Sequence, residues 1–359
     1  MKPAGPHPGN AGPVALIDAL KAGACCLIVL HHLAFYGPMA DHADELFPAL
    51  FEWLENHARL AVQVFLVMGG YLAARALPLD RDRQGFGLEL RAAVRRVGQR
   101  FLRLALPVWA TLMLAIVCNG LADHWMDHPS ISAAPNLLQV ASHLLLLQDL
   151  TGHEALSAGL WYVAIDFQLY AMLSLMVLCC RAWPDPQAAL QWACLLLTAA
   201  SAFFFNREAN WDVLAPYFWC SYGLGVLIGL KASPRMLMVL MGVVLAALAI
   251  DWRTRLLVAG LTAGALWWWL SSAQSAYRLK GALIPGLSRI SYAVFLVHFP
   301  VSLVVNAAWV TFLPTQAWLQ FLGVVTAFKL SLLAGWAFHR WVEQPLVRRA
   351  SGWMTLQPA

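Results

Sequence analysis

The stretch "LIDALKAGACCLIVLHHLAFY", residues 16–36, decides the fold class: it is long and apolar enough to cross a bilayer, yet it carries Asp18, Lys21, His31 and His32. About 20 predominantly apolar residues cross the hydrocarbon core as a helix. An ionisable group at that depth is costly and marks a candidate functional position. The plain alternative sets Asp18 and Lys21 at one interface and the two histidines near the opposite headgroups, so the rest of the chain has to decide between the two.

Composition places the whole chain in the bilayer. It has 359 residues, 60% hydrophobic and only 12% charged, with a mean hydropathy of +0.63, which leaves too little polar surface for a soluble globule. The repeated apolar segments have helical length rather than the short alternating strands of a barrel. The net charge of +5 records topology and not nucleic acid, since basic residues in membrane proteins mark the cytoplasmic loops and no basic patch is interleaved with stacking aromatics. The seven cysteines sit in or beside apolar segments without CxxC spacing, which speaks against a disulfide framework or a metal site. The first helix lacks a convincing small-residue cleavage site and is expected to be retained.

The sequence predicts about ten spans, near 14–36, 59–77, 101–121, 158–180, 188–205, 213–230, 235–250, 255–271, 289–312 and 317–340. Loop charges support this count. Residues 75–103 hold Arg75, Arg81, Arg83, Arg91, Arg95, Arg96, Arg100 and Arg103, whereas 122–157 hold no lysine or arginine. Alternating through the chain puts nineteen of the 24 basic residues on one side, including Lys2, Lys21, Arg181, Lys231, Arg235, Arg278, Lys280, Arg289, Arg340, Arg348 and Arg349. Only Arg59, Arg207, Arg253 and Arg255 fall opposite, and Lys329 stays inside a span. The positive-inside rule then sets both termini in the cytoplasm. The chain is expected to be a single all-α polytopic domain over 1–359, with its membrane core at 14–345 and no fused soluble domain. The stretch "NLLQVASHLLLL", 136–147, is expected to lie along the outer interface, and no inverted repeat of the transporter kind is evident.

Within the first helix, Lys21 and His32 are eleven positions apart, about three turns, so they share a face roughly 16 Å apart along the axis, and His31 points about 100° away. Asp18 joins this stripe. Asp166, in "LWYVAIDFQLYAML", lies at a depth similar to that of His32, where a carboxylate could orient an imidazole acting as general base or could instead bond a neighbouring helix. In "SRISYAVFLVHFP" Ser291 and His298 share a face, and Pro300 could free backbone groups for a cavity. Arg100 and Arg103, at i and i+3, suit phosphate recognition through planar guanidinium forks, with plain topology as the alternative. Gly69 and Gly70 remove bulk where a helix or ligand could approach.

Taken together these segments resemble the membrane-bound acyltransferase family 3. The signs are "DALK" followed at the family spacing by His32, "VFLVMGGYL" in place of a Phe-rich segment ending in Ser-Gly-Phe, and "RFLR" as Arg-x-x-Arg. "LWYVAIDFQLY", "SYAVFLVH" and "FHRWVEQP" follow in the family order. Lys21 stands where arginine is usual, Gln63 where an acid is common, Gly69 where serine is common and Asp166 where glutamate is usual. The resemblance implies transfer of an acyl group, most often acetyl, from cytoplasmic acyl-CoA to a hydroxyl or amine of an acceptor, frequently an extracytoplasmic or lipid-linked glycan, as in polysaccharide O-acetylation at a bacterial inner membrane. On this basis His32 and Asp166 are expected to be catalytic, and Lys21, Arg100 and Arg103 to bind acyl-CoA. Asp18, Gly69, Gly70, Tyr170, Ser291, Tyr292 and His298 are expected to line the cavity. Acyl-CoA would be a co-substrate, with no permanent cofactor and no nucleic-acid partner. A proton-coupled transporter is the rival, with His32, Asp166, His298 and Lys329 as its relay.

Overall fold

The structure, a computed structural model, describes residues 14–77, 79, 85–272 and 281–355. Lys2, Arg81, Arg83, Arg278 and Lys280, counted in the charge asymmetry, lie outside the described residues. The fold is all-helical, 82% helix, with no strand among the described residues.

The first part of the chain forms α1 (Val14–Phe35), two short helices α2 (Pro38–Ala43) and α3 (Pro48–His57), and α4 (Val62–Ala76). The middle forms α5 (Phe86–Trp125), α6 (Leu137–Leu144), α7 (Leu160–Cys180), α8 (Pro186–Phe203) and α9 (Ala215–Gly229). The last part forms α10 (Pro234–Ile250), α11 (Thr254–Ser271), α12 (Leu283–Phe312), α13 (Ala317–Phe338) and α14 (Gln344–Thr355). All ten apolar stretches are thus helical. Among the described residues, seven helical segments are long and apolar enough to cross a membrane: α1, the run through α3 and α4, α5, α7, α8 with its extension, α12, and α13 with its extension. α9, α10 and α11, of 15, 17 and 18 residues, fall outside that set.

α5 departs furthest from its expected span of 101–121: the helix runs for 40 residues, about 60 Å at 1.5 Å per residue. Its added first turns are not a loop because they have their own partners. Glu89 and Ala93 are buried there, Arg181 Nη1 donates to Glu89 Oε1 at 3.2 Å, and α14 packs alongside. This extension carries Arg100 and Arg103 into the bundle as part of a rigid helix.

Two packing features position the site. α9 is buried along nearly its whole length, and it crosses α4 so closely that a Cβ on Gly70 would run into the Tyr222 carbonyl and one on Gly225 into the Val67 carbonyl. Small residues permit such backbone approach. From α7, Gln168 accepts from the Ala215 amide at 3.0 Å and donates to the Val213 carbonyl at 3.2 Å, which fixes the entry into α9. Elsewhere α12 packs against α1, α5 and α13 and so holds α1 by the centre of the molecule. The expected interfacial segment is present as α6: the Asn136 side chain accepts from the Gln139 amide at 2.8 Å, a helix N-cap, while Leu137 and Leu138 are exposed and Ser142 and His143 buried. That inversion of a soluble helix suits an element against lipid.

Candidate active site

Two cavities approach each other inside the bundle. An inner one of about 260 Å³ lies toward the first turns of α1 and is lined by Lys21, Arg100, Arg103, Arg289, Glu343 and Asp166, among others. An outer one of about 730 Å³ lies toward the last turns of α1 and is lined by His31, His32, Tyr36, Arg59, Trp161 and Asp212, among others. Phe295 of α12 lines both.

His32 borders the outer cavity and is held from behind. Its Nδ1 lies 2.5 Å from His298 Nε2, with the two rings within 8° of parallel. His298 is fully buried, and its Nδ1 lies 2.8 Å from the Phe295 carbonyl and 3.1 Å from the Val294 carbonyl. A carbonyl oxygen can only accept, so the proton of neutral His298 sits on Nδ1 and its Nε2 carries the lone pair. His32 Nδ1–H therefore donates to His298 Nε2, which leaves the lone pair of His32 on Nε2. The network thus sets the tautomer that a general base needs, with a second histidine in the place often taken by a carboxylate. His31 turns away as its spacing predicts, and its Nδ1–H donates to the Leu54 carbonyl at 3.1 Å.

The inner cavity is cationic. Arg100 donates from Nη2 to Asp166 Oδ2 at 2.5 Å and lies 5.3 Å from the centre of the Tyr170 ring, and its buried Nε has no hydrogen-bond partner. Asp166 thus neutralises one arginine, while Lys21, Arg103 and Arg289 add three further cations against the single carboxylate of Glu343. That carboxylate is positioned by a turn of π-helix, His339–Glu343, in which His339 Nδ1–H donates to Glu343 Oε2 at 2.7 Å. A site of this composition suits an anion with several phosphate oxygens.

The pairing of Asp166 with His32, inferred from depth, is not what the structure shows. Asp166 faces the inner cavity and bonds Arg100, and the partner of His32 is His298. Equal depth does not make two helices neighbours, nor turn a side chain toward a given face. Lys21, Arg100, Arg103, Gly69, Ser291 and Tyr292 line the inner cavity, and the Tyr292 hydroxyl donates to the Leu104 carbonyl at 3.0 Å. Four other residues expected on the walls do not line either of these cavities. Asp18 accepts from Ser288 Oγ at 2.7 Å, Gly70 is closed off by α9, Tyr170 lies beside Arg100, and His298 is sealed behind His32.

Arg289 and Glu343 also line the inner cavity, a placement that nothing in the sequence singles out. Arg289 was absorbed into the count of topological charges, and Glu343 stood unassigned in "FHRWVEQP". The outer cavity adds Arg59, Arg255, Asp149, Glu154 and Asp212, and burial pushes the Asp149 carboxyl above the ordinary carboxylate range. Arg59 and Arg255 were signalled as exceptions to the charge bias. The other two exceptions serve structure: Arg253 donates to Asn206 Oδ1 at 2.8 Å and to the Ala202 carbonyl at 2.6 Å, and Arg207 pairs with Asp251 at 3.3 Å.

The four-residue proton relay of the rival transporter is not assembled. His32 and His298 touch, but Asp166 is committed to Arg100 and Lys329 is exposed on the outer face of α13 beside the exposed Leu330.

Comparison with known proteins identifies the family. The family described as "Acyltransferase domain" matches residues 14–340. A "Regulator of hypoxia-inducible factor 1" from Caenorhabditis elegans is 25% identical over 186 residues, 51% of this chain, and the match spans about a third (33%) of that protein. No solved structure matches.

Proposed function

Because the chain belongs to the membrane-bound acyltransferase family 3, we propose that it moves an acyl group, in the simplest case acetyl, from acyl-CoA in the inner cavity to a hydroxyl or amine of a glycan acceptor in the outer one. The observation that carries this reading is the division of labour on either side of Phe295: clustered cations on one side and a tautomer-fixed imidazole on the other. The inner cavity would face the cytoplasm, in keeping with the basic residues around it, and both termini would lie there too. Lys21, Arg103 and Arg289 hold the coenzyme phosphates at the mouth, and the thioester arm points toward α12.

In the reaction, His32 Nε2 takes the acceptor proton while the acceptor oxygen attacks the thioester carbon. The imidazolium that forms stays hydrogen-bonded to His298 Nε2. Collapse of the tetrahedral intermediate breaks the C–S bond, and the departing thiolate takes the proton from His32 to give free coenzyme A. The purified protein in nanodiscs, given radiolabelled acetyl-CoA and membrane extract as acceptor source, is expected to release free thiol and label a glycan. Failure to consume thioester under these conditions would overturn the reading.

Two variants refine it. Arg103→Ala is expected to raise the KM for acetyl-CoA about tenfold with little change in kcat, the loss of one or more charge-assisted hydrogen bonds made equally in ground and transition states. An unchanged KM would leave Arg103 as a topological charge only. Lys329→Leu, an exposed position away from both cavities, is expected to keep turnover within about twofold, whereas a proton relay through Lys329 would lose it.

A further inference from the structure

The wall between the two cavities is an aromatic cluster. Phe295 borders both cavities, while Phe65 of α4 and Tyr162 of α7 border the inner one. The ring centres are 5.4 Å apart for Tyr162 and Phe295, 6.1 Å for Phe65 and Tyr162, and 6.4 Å for Phe65 and Phe295. The Phe295 ring is also seated from the outer side, because a Cβ on Gly159, at the start of α7, would come within 2.9 Å of its Cε1. Glycine there is what admits the ring. On its other flank Phe295 meets His298, the hydrogen-bond partner of His32: its ring centre is 6.0 Å from that of His298, and its carbonyl accepts from His298 Nδ1 at 2.8 Å.

We infer that Phe295, with Phe65 and Tyr162, is the partition at which donor and acceptor meet and that it limits the length of the acyl group transferred. This rests on the acyl-CoA reading above. A thioester carbon arriving from the inner cavity reaches the ring cluster, whose Phe295 shares the wall of the outer cavity with His32, so whatever the acyl group carries beyond that carbon must fit beside three aromatic rings. An acetyl methyl is small enough to do so. A chain of several methylenes would have to displace Phe295 into Gly159 or into His298, and the second displacement would disturb the hydrogen bond that sets the His32 tautomer. Phe295 thus acts on the reaction as a specificity-determining residue.

The test is binding of acetyl-CoA and hexanoyl-CoA to the full-length protein in nanodiscs, which needs no acceptor. The wild type is expected to bind acetyl-CoA at least about tenfold more tightly than hexanoyl-CoA. Phe295→Ala is expected to shift that ratio toward hexanoyl-CoA by at least about tenfold, because each methylene admitted to the apolar space strengthens binding severalfold. If Phe295→Ala no longer binds acetyl-CoA, Phe295→Leu, which removes the ring but keeps an apolar side chain, carries the same comparison. A wild type that does not discriminate, or a shift below about threefold in the variant that binds, overturns the partition. Loss of acetyl-CoA binding in both variants assigns Phe295 to packing and overturns it as well. A wild type that binds no coenzyme A thioester refutes the acyl-CoA reading itself, a separate result.

Discussion

His32→Ala is expected to lower acyl transfer by about 10²- to 10⁴-fold, the usual contribution of a positioned general base, while leaving acyl-CoA affinity near wild type and lowering stability by about 1–3 kcal/mol through the buried His298 Nε2 left unpaired. The asymmetry follows from the two cavities. His32 borders the outer one, and the cations that would hold the donor line the inner one, so removing the imidazole takes away chemistry without touching the coenzyme. His31→Ala is the internal control, because His31 is one position away but its Nδ1 is spent on the Leu54 carbonyl. It should keep activity within about tenfold, a loss of one buried hydrogen bond. Turnover at saturating acetyl-CoA decides the matter: equal losses in the two variants would mean that the His32–His298 contact does not select the base.

Asp166→Asn has the second large effect, on stability first. The Arg100 guanidinium is paired with Asp166 inside the bundle, with Asp166 buried and Arg100 only partly so, and neutralising the carboxylate leaves that cation without its partner, a change expected to cost less than the about 3–5 kcal/mol of a fully buried pair because solvent in the cavity screens the guanidinium. The melting temperature of the purified variant should fall accordingly, and Arg100→Ala should fall by a similar amount because it strands the carboxylate instead. Removing both together, as Arg100→Leu with Asp166→Leu, should restore much of the loss, since apolar replacement of a buried pair is often nearly neutral. Asp166→Glu keeps the charge and should be the mildest of the set. An Asp166→Asn protein as stable as wild type but catalytically dead would show instead that the carboxylate takes part in the chemistry, as its depth in the sequence first implied.

These two cases also separate what was legible in the sequence from what was not. Helix positions followed from apolar run length, and the separate duties of His31 and His32 followed from helical geometry. Both signals are local. The pairing of His32 with His298 joins positions 266 residues apart and depends on α12 lying against α1, which no periodicity encodes, although both histidines stood out individually as costly groups in apolar helices. Depth can be read for Asp166 but azimuth cannot: α7 has no marked polar face, so its sequence does not say which side meets α5. Gly69 and Gly70 show the same ambiguity one residue apart, the first on a cavity wall and the second against α9. The basic residues were ambiguous for another reason. Topology explains any cytoplasmic arginine, so Arg289 was hidden among the loop charges, while Arg59 and Arg255 stood out only because they broke the rule.

The expected arrangement has donor and acceptor entering from opposite faces and meeting at Phe295 and His32. It is tested most directly by giving radiolabelled acetyl-CoA to sealed membrane vesicles that contain the protein and its own acceptor, in two orientations. Inverted vesicles, which present the face bearing Lys21, Arg103 and Arg289 to the medium, are expected to incorporate label in a His32-dependent manner, and right-side-out vesicles to incorporate none. Equal incorporation in both orientations, or label that persists in His32→Ala vesicles, would contradict it.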